Sequence, residues 1–223
     1  MFTVIHRGDD LLVIDKPSGA SLFADRTGAP CLWDHIKAYL GTTAPLPVHR
    51  LDKGTSGVLL IALSKARQAS LNRAFNDRRL SKFYVARVVG TLTLRGTGTL
   101  DLPLKKGRKS RYRIAGERST ITRTEDRYCV PKADADGLAS VTRMRVVAHR
   151  DHHTVLSLQP ITGRTHQLRV QLAWIGHAIV GDHLYGKPGA APQQGSRLAL
   201  HCHRLRLPDG DCFHAPVPPA FWD

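Results

Sequence analysis

The amino-acid sequence predicts an α+β fold in which a mixed β-sheet packs against a few helices. Six short apolar segments rich in β-branched residues have the lengths typical of strands, at residues 11–14, 58–63, 83–89, 144–148, 154–158 and 197–207. Only two segments have the spacing of amphipathic helices. Because helices do not alternate regularly with strands, the pattern favours a mixed sheet over a doubly wound parallel one.

The two predicted helices are supported by a cap signal and by spacing. The first covers residues 65–80 and follows Ser64, whose hydroxyl is suited to capping a helix N-terminus. The second covers residues 165–175, where Leu168, Leu172 and Ile175 are spaced as i, i+4 and i+7.

Length and composition are those of a folded domain. The chain has 223 residues, of which 42% are hydrophobic and 23% charged, so we expect a single domain over residues 1–223 with enough apolar material for a core. The four cysteines lie far apart without a CxxC pair, which predicts free thiols. Neither a secretory leader nor a long apolar run is found, so a cytoplasmic protein is expected.

The charge is the unusual property of the sequence. Lys and Arg number 33 against 18 Asp and Glu, a net charge of 33 − 18 = +15. Such an excess indicates a polyanionic partner, and arginine suits phosphates and bases in particular, so nucleic acid is favoured over a membrane surface.

Three shifts in composition predict loops. Residues 42–47 are rich in proline and threonine and are predicted to form a loop inside the domain. Residues 105–127 carry nine cations and three acidic residues with little apolar periodicity, so this segment should be exposed. Residues 186–196 are dense in glycine and proline and predict a surface loop.

Asp52 is a candidate catalytic carboxylate. It lies in the segment HRLDKGTSGVLLIALS at residues 49–64, where a polar loop leads directly into an apolar strand. A short side chain at such a position can act as nucleophile or base with little positional freedom. An equally acceptable interpretation is that Asp52 and Thr55 simply cap a turn.

Tyr84, Arg164 and Arg169 are further candidates. Tyr84 is on a predicted strand, where alternation groups it with Ala86 and Val88; its ring could stack on a base, or it could be a half-buried structural tyrosine. Arg164 precedes the second predicted helix and could hold a nearby carboxylate ionised or could be solvated. Arg169 could face phosphate or solvent.

Metal and nucleotide sites are not indicated. The 12 histidines do not show the spacing of a zinc site, and neither a GxGxxG nor a GxxxxGK[ST] motif occurs. We therefore expect neither a metal nor another cofactor.

Two long segments resemble the RluA-type RNA pseudouridine synthases. HRLDKGTSGVLLIALS at residues 49–64 is similar to the signature loop of that family, and ITGRTHQLRVQLAWIGHAIVGDHLYG at residues 161–186 is similar to its second block. LLVIDKPSG, SKFYVARVVG, LALHCHRLRLP and HAPVPPAF are similar to further family segments, so the resemblance covers nearly the whole chain. It implies a pseudouridine synthase fold with a mixed, largely antiparallel sheet and flanking helices.

The resemblance also implies a reaction and roles for four residues. Asp52 is the catalytic residue, and Arg50 fills the space that the target nucleotide leaves in its stack. Tyr84 stacks on the uracil and handles the proton on C5, and Arg164 pairs with Asp52. A uridine in RNA is isomerised when its N1 glycosidic bond breaks, the uracil turns over and a C5–C1′ bond forms.

The expected partner is structured tRNA or rRNA, from which the uridine must be flipped out. Many family members begin with an S4 RNA-binding domain, whereas here the catalytic domain is expected to start within the first ten residues, so the domain itself must bind RNA. Residues 105–127 are more basic than the typical family hairpin, which makes Lys105, Lys106 and Arg108 expected RNA contacts beside Arg50 and Arg169. A monomer is expected.

Two other functions are weighed against this one. A non-catalytic RNA-binding or ribosome-assembly protein on the same fold would bind RNA without needing Asp52. A metal-dependent nuclease would need a cluster of carboxylates and histidines that the spacing does not provide. The joint presence of Asp52, Tyr84 and Arg164 favours the synthase.

Overall fold

A computed structural model describes residues 2–24, 30–41, 44–108, 111–186 and 197–222. The chain divides into two compact units, which we call the first unit (Met1–Lys82 and Leu200–Asp223) and the second unit (Phe83–Ala199). None of the helices in the described residues has the length and apolarity needed to cross a bilayer.

The described residues form fourteen β-strands and three α-helices. In chain order these are β1 (Thr3–Arg7), β2 (Leu11–Lys16), α1 (Leu32–Leu40), β3 (Leu46–Pro47), β4 (Ser56–Ala62), α2 (Lys65–Asn76), β5 (Ser81–Val89), β6 (Thr97–Asp101), β7 (Leu104–Lys106), β8 (Tyr112–Ile114), β9 (Thr122–Thr124), β10 (Arg127–Cys129), β11 (Val141–Arg150), β12 (His153–Pro160), α3 (Gln167–Trp174), β13 (Leu200–Arg206) and β14 (Cys212–His214). Two single turns of 3-10 helix lie at Arg118–Thr120 and Pro219–Phe221.

The sheet of the first unit has the strand order β1-β2-β4-β13. β1, β2 and β4 are antiparallel neighbours, whereas β13 runs parallel to β4. β3 pairs with β4, and β14 pairs with β13. All seven residues of β4 are buried, as expected for a continuous apolar strand at the centre of a sheet.

The helices of the first unit differ in how well the sequence predicted them. Ser64 caps α2 as predicted, since its hydroxyl accepts a hydrogen bond of 3.1 Å from the backbone N–H of Arg67. This helix ends at Asn76 rather than residue 80, because Arg78 adopts a left-handed conformation (φ 56°) that a helix cannot continue. α1 was not predicted; it buries Leu32, Ile36 and Leu40.

The sheet of the second unit has the order β5-β12-β11-β6-β10-β9. Its neighbours are antiparallel except for β6 and β10, which are parallel. β7 and β8 form a separate hairpin. α3 begins at Gln167 instead of residue 165, because His166 before it is left-handed (φ 56°).

The three predicted loops agree with the structure to different extents. Residues 42–43 lie outside the described residues, and Leu46–Pro47 form β3 instead of a loop. Most described positions of residues 105–127 are exposed or half-buried, as expected, but this segment also contains short strands that were not predicted, and Ile114 is fully buried. Of the predicted loop at residues 186–196, residues 187–196 lie outside the described part. The four cysteines are free, as predicted.

Candidate functional site

The loop that carries Asp52 is hydrogen-bonded to the segment that follows β2. The backbone N–H of Gly19 donates to the carbonyl of Lys53 at 2.8 Å, and the hydroxyl of Ser18 donates to the carbonyl of Gly54 at 2.6 Å. The carbonyl of Asp52 itself accepts a bond of 3.0 Å from the N–H of Thr55, which closes a tight turn. The side chain of Asp52 is half-buried at this turn.

A buried lysine completes the support of this loop. Lys16 has no exposed surface, and its ammonium donates to the carbonyls of Pro17 at 2.9 Å and Lys53 at 3.1 Å. A buried cation costs free energy unless it is hydrogen-bonded, so the two carbonyls tie the end of β2 to the residue after Asp52. Sequence reasoning did not single out Lys16.

His49 anchors the other side of the same loop. Its Nε2 accepts a hydrogen bond of 2.9 Å from the backbone N–H of Leu60 on β4, and its ring lies 5.0 Å from that of Phe75. Burial, with the nearby charge of Lys82, lowers the pKa of His49 to about 3. His49 is therefore neutral, and the next residue, Arg50, is exposed to solvent.

Tyr84 lies on β5 in the second unit, as predicted. Tyr84, Ala86 and Val88 are buried, whereas Phe83, Val85 and Arg87 are only partly so, which matches the alternation of a strand. Tyr84 is opposite Leu158 of β12 and is 8% exposed. Its placement is compatible with both a stacking and a structural role.

The loop of Arg164 is held by a buried glutamine. The Oε1 atom of Gln167 accepts bonds from the N–H of Arg164 at 3.0 Å and from the hydroxyl of Thr162 at 2.7 Å. Its amide nitrogen donates to the carbonyl of Val141 at 3.1 Å and to the hydroxyl of Thr142 at 2.9 Å. Gln167 is 4% exposed, whereas the side chain of Arg164 is exposed. Gln167 was not predicted, because neither its spacing nor its residue type marks it.

Arg169 is used in a buried ion pair. Its Nε and Nη2 donate to the two carboxylate oxygens of Asp182 at 2.8 and 2.9 Å, and its guanidinium lies 5.2 Å from the ring centroid of Tyr185. Asp182 thus occupies the fork of the Arg169 guanidinium. The predicted contact of Arg169 with phosphate stays a prediction.

The three predicted RNA contacts of the basic hairpin β7–β8 are in different environments. Lys105 pairs with Asp134 at 2.8 Å and with Asp136 at 3.2 Å, and its hydrogen bonds to these carboxylates raise its pKa. Lys106 and Arg108 are exposed. Lys106 and Arg108 are therefore better placed for an RNA backbone than Lys105.

The candidate residues belong to separate units, with Arg50 and Asp52 in the first and Tyr84, Arg164 and Arg169 in the second. The pairing of Asp52 with Arg164 stays a prediction. Within the described ranges, we find no group of three or more His, Cys, Asp or Glu side chains that could hold a metal ion.

Comparison with known proteins identifies the family. Residues 10–174 match the family described as RNA pseudouridylate synthase. The chain is 36% identical over 206 residues to the dual-specificity RNA pseudouridine synthase RluA of Yersinia pestis, covering 91% of this chain and 90% of that protein. It is 32% identical over 237 residues to the ribosomal large subunit pseudouridine synthase D of Vibrio cholerae, covering 96% and 67% of the two chains.

Solved structures agree with the predicted fold class. Human RNA pseudouridylate synthase domain containing 4 superimposes with a TM-score of 0.79 at 24% identity, covering 99% of this chain and 90% of that one. Human RNA pseudouridylate synthase domain containing 1 gives 0.75 at 28% identity, with 98% and 83% covered. The predicted α+β pseudouridine synthase fold is thus confirmed. The chain belongs to the RluA-type RNA pseudouridine synthases, isomerases that convert uridine in RNA to pseudouridine.

Proposed function

We propose that this synthase isomerises specific uridines of structured tRNA or rRNA, with Asp52 as its catalytic residue. The support is the loop of residues 52–54, whose carbonyls are bonded by Lys16, Ser18 and Gly19 while the carboxylate itself is only half-buried. A carboxylate on a loop held in this way is pre-positioned to act on a flipped nucleotide.

The remaining roles follow from the resemblance and the chemistry of the side chains. Tyr84 stacks on the uracil and handles the C5 proton, and Arg164 keeps Asp52 ionised by pairing with it. Arg50, exposed beside the anchored His49, occupies the stack that the flipped nucleotide leaves. We propose that the chain acts in the cytoplasm as a monomer and as one catalytic domain.

The choice of RNA is supported by relatives and by charge. One relative is named dual-specificity and another is named for the ribosomal large subunit, so both tRNA and rRNA fractions are substrates to test. Cations of the hairpin β7–β8 supply part of the backbone affinity, with Lys106 and Arg108 among its exposed members.

Tritium release from RNA labelled at uridine C5 tests the proposal. tRNA and rRNA fractions are prepared from cells lacking the gene and incubated in chelator with wild type, Asp52→Asn and the control Asp77→Asn, which changes an exposed carboxylate beyond the end of α2. We expect release by wild type and by the control, and background release by Asp52→Asn with unchanged RNA affinity.

Two results would overturn parts of this assignment. Normal turnover by Asp52→Asn would remove Asp52 from its role. Salt-sensitive RNA binding without release by wild type on any fraction would favour a non-catalytic RNA-binding protein on the same fold.

A further inference from the structure

An open cleft of about 260 Å³ lies within the second unit, apart from Tyr84 and Arg164. Two arginines, two aromatic residues and two isoleucines account for most of its lining: Arg118, Ile121, Arg123, Tyr128, Trp174 and Ile175. Its volume is just below the range of about 300–1,000 Å³ typical of pockets for drug-sized ligands. A cleft of this size suits a ligand no larger than one planar base.

The lining of the cleft includes Trp174, at a helix end whose backbone carbonyls bond an arginine. Trp174 is the last residue of α3, and Arg118 donates to the carbonyls of Ala173 at 2.7 Å and of Trp174 at 3.0 Å. A cation at a helix C-terminus is favoured by the helix dipole, so Arg118 orders the end of the helix and its terminal residue. Trp174 itself is only half-buried, which leaves part of the indole accessible.

The lining also contains a second aromatic residue and a second arginine. The guanidinium of Arg123 lies 5.3 Å from the ring centroid of Tyr128 and donates to the carbonyl of Thr93 at 2.7 Å and to Asp126 at 3.1 Å. Tyr128 is 8% exposed, and burial raises the pKa of its phenol, so the ring stays neutral. The cleft lining therefore contains a neutral, largely buried aromatic ring beside a positive charge.

Both arginines have more N–H donors than their bonds to backbone and carboxylate oxygens use. A guanidinium has five N–H donors. Arg118 and Arg123 each donate to backbone or carboxylate oxygens through Nε and Nη2, and Arg123 also hydrogen-bonds the hydroxyl of Tyr128. Across the described part of the chain, neither Nη1 donates to a backbone carbonyl or a carboxylate. Each can still bind a phosphate oxygen or a base carbonyl at the rim.

We propose that this cleft binds one unpaired nucleotide of the RNA substrate, with the base against Trp174 and its phosphate at Arg118 and Arg123. The proposal rests on the RNA-modifying function above, and the nucleotide is distinct from the uridine that is isomerised. Aromatic side chains flanked by arginines are the usual means of holding single-stranded bases without reading their sequence. A net charge of +15 favours a polyanionic ligand. RNA fits the cleft better than an acidic peptide, because RNA offers both a phosphate and the π-face of a base.

Intrinsic fluorescence tests occupancy directly. The sequence has three tryptophans, so a Trp33→Phe/Trp222→Phe variant reports on Trp174 alone. We expect a single-stranded uridine pentanucleotide to quench this emission, and tripolyphosphate, which has the charge but not the base, to leave it nearly unchanged. Absence of quenching by the pentanucleotide, or equal quenching by tripolyphosphate, would overturn base stacking in the cleft.

Affinity and turnover supply the matched comparison. Trp174→Leu should weaken binding of the RNA substrate about tenfold, the order expected for the loss of one base–aromatic stack, and raise KM similarly with kcat unchanged. Trp222→Leu, which removes an exposed indole of the first unit, should change neither. Equal affinities of the two variants for RNA would overturn the proposal that the cleft binds a nucleotide. Tritium release by wild type decides separately whether the chain modifies that RNA.

Discussion

Arg169 of α3 and Asp182 form a two-pronged ion pair in the second unit, with the side chain of Asp182 wholly buried and that of Arg169 11% exposed. The same carboxylate accepts the backbone N–H groups of Leu184 at 2.9 Å and Tyr185 at 3.1 Å. Burial disfavours the charged carboxylate, but the hydrogen bonds and charge of Arg169, with these two N–H groups, hold the pKa of Asp182 below its usual value. The pair thus fastens α3 to the turn that follows it.

Removing the charge of Asp182 should destabilise the second unit strongly. Asp182→Asn keeps an oxygen for the two N–H groups but removes the negative charge that faces the guanidinium of Arg169, and removing one charge of such a buried pair costs about 3–5 kcal/mol. We expect a lower midpoint of urea unfolding. Asp209→Asn is the control, since its exposed pair with Arg67 (3.4 Å) is worth about 1 kcal/mol at most. Equal midpoints for the two variants would contradict the structural role of the Arg169–Asp182 pair.

The neutral His49 makes stability depend on pH. Its folded pKa of about 3 is below the unfolded value of 6.5, so the unfolded chain binds the extra proton and stability falls as pH drops from about 6.5 towards 3. The slope contributed by His49 approaches about 1.4 kcal/mol per pH unit within that window. Thermal unfolding should show a weaker dependence in His49→Gln, whose amide oxygen can still accept from the N–H of Leu60. Parallel curves for the two proteins would contradict a neutral, half-buried His49.

Burial dictates the composition of most strands that the sequence predicted, although β11, which was also predicted, is largely exposed or half-buried. β4 is buried at every position and β12 at most positions, so continuous apolar runs reveal them. β7–β10 have three residues each and are partly exposed, and their formation depends on pairing that no local pattern records. α1 could have been found from its spacing of Leu32, Ile36 and Leu40, but the side chain of Cys31 does not cap its start.

In the candidate site, too, local sequence pattern predicts some features and not others. The position of Asp52 on a loop before β4 and the inward face of Tyr84 follow from local pattern and strand alternation. Partners distant in sequence do not: Lys105 meets Asp134 and Asp136, and Arg169 meets Asp182, only once the chain is folded. Counting cations therefore overestimates those available to RNA, because a cation already paired within the protein releases fewer counterions.

The exposed cations of the hairpin should contribute to affinity without affecting chemistry. Lys106→Glu/Arg108→Glu should weaken RNA binding and reduce the slope of log K against log salt by about one per lost phosphate contact. Arg73→Glu/Arg79→Glu, which makes the same change of net charge at two exposed positions in and beyond α2, is the control for net charge. If both variants lose affinity and slope equally, the hairpin has no specific contact with RNA.

Gly57 should be irreplaceable for a steric reason. Its φ of 113° is in the region that favours glycine, and a Cβ there would overlap the backbone of Cys202, its partner on β13. Gly57→Ala should therefore destabilise the first unit by about 3 kcal/mol or more. Gly96→Ala, where a Cβ meets open space, should be nearly neutral. A normal melting temperature for Gly57→Ala would show that β4 and β13 can separate at little cost.

Substitution of Gln167 should affect both stability and catalysis, whereas substitution of a neighbouring glutamine should affect stability alone. Gln167→Met removes the acceptor of the Arg164 N–H and the donor to Val141 and Thr142. Because the Val141 carbonyl still accepts from Ile161 and the Thr142 hydroxyl still donates to Gln171, we expect a total loss of about 1–3 kcal/mol. Gln171→Met is the matched control: Gln171 is buried beside Thr142 but bonds the carbonyls of Ser140 and Leu102 instead of the Arg164 loop.

Both variants should melt at lower temperature. Assayed below both transitions by tritium release, only Gln167→Met should lose kcat, because only its loss frees the loop that presents Arg164. Equal kcat losses in both variants would mean that the network acts through overall stability, and unchanged kcat in both would remove the Arg164 loop from the chemistry.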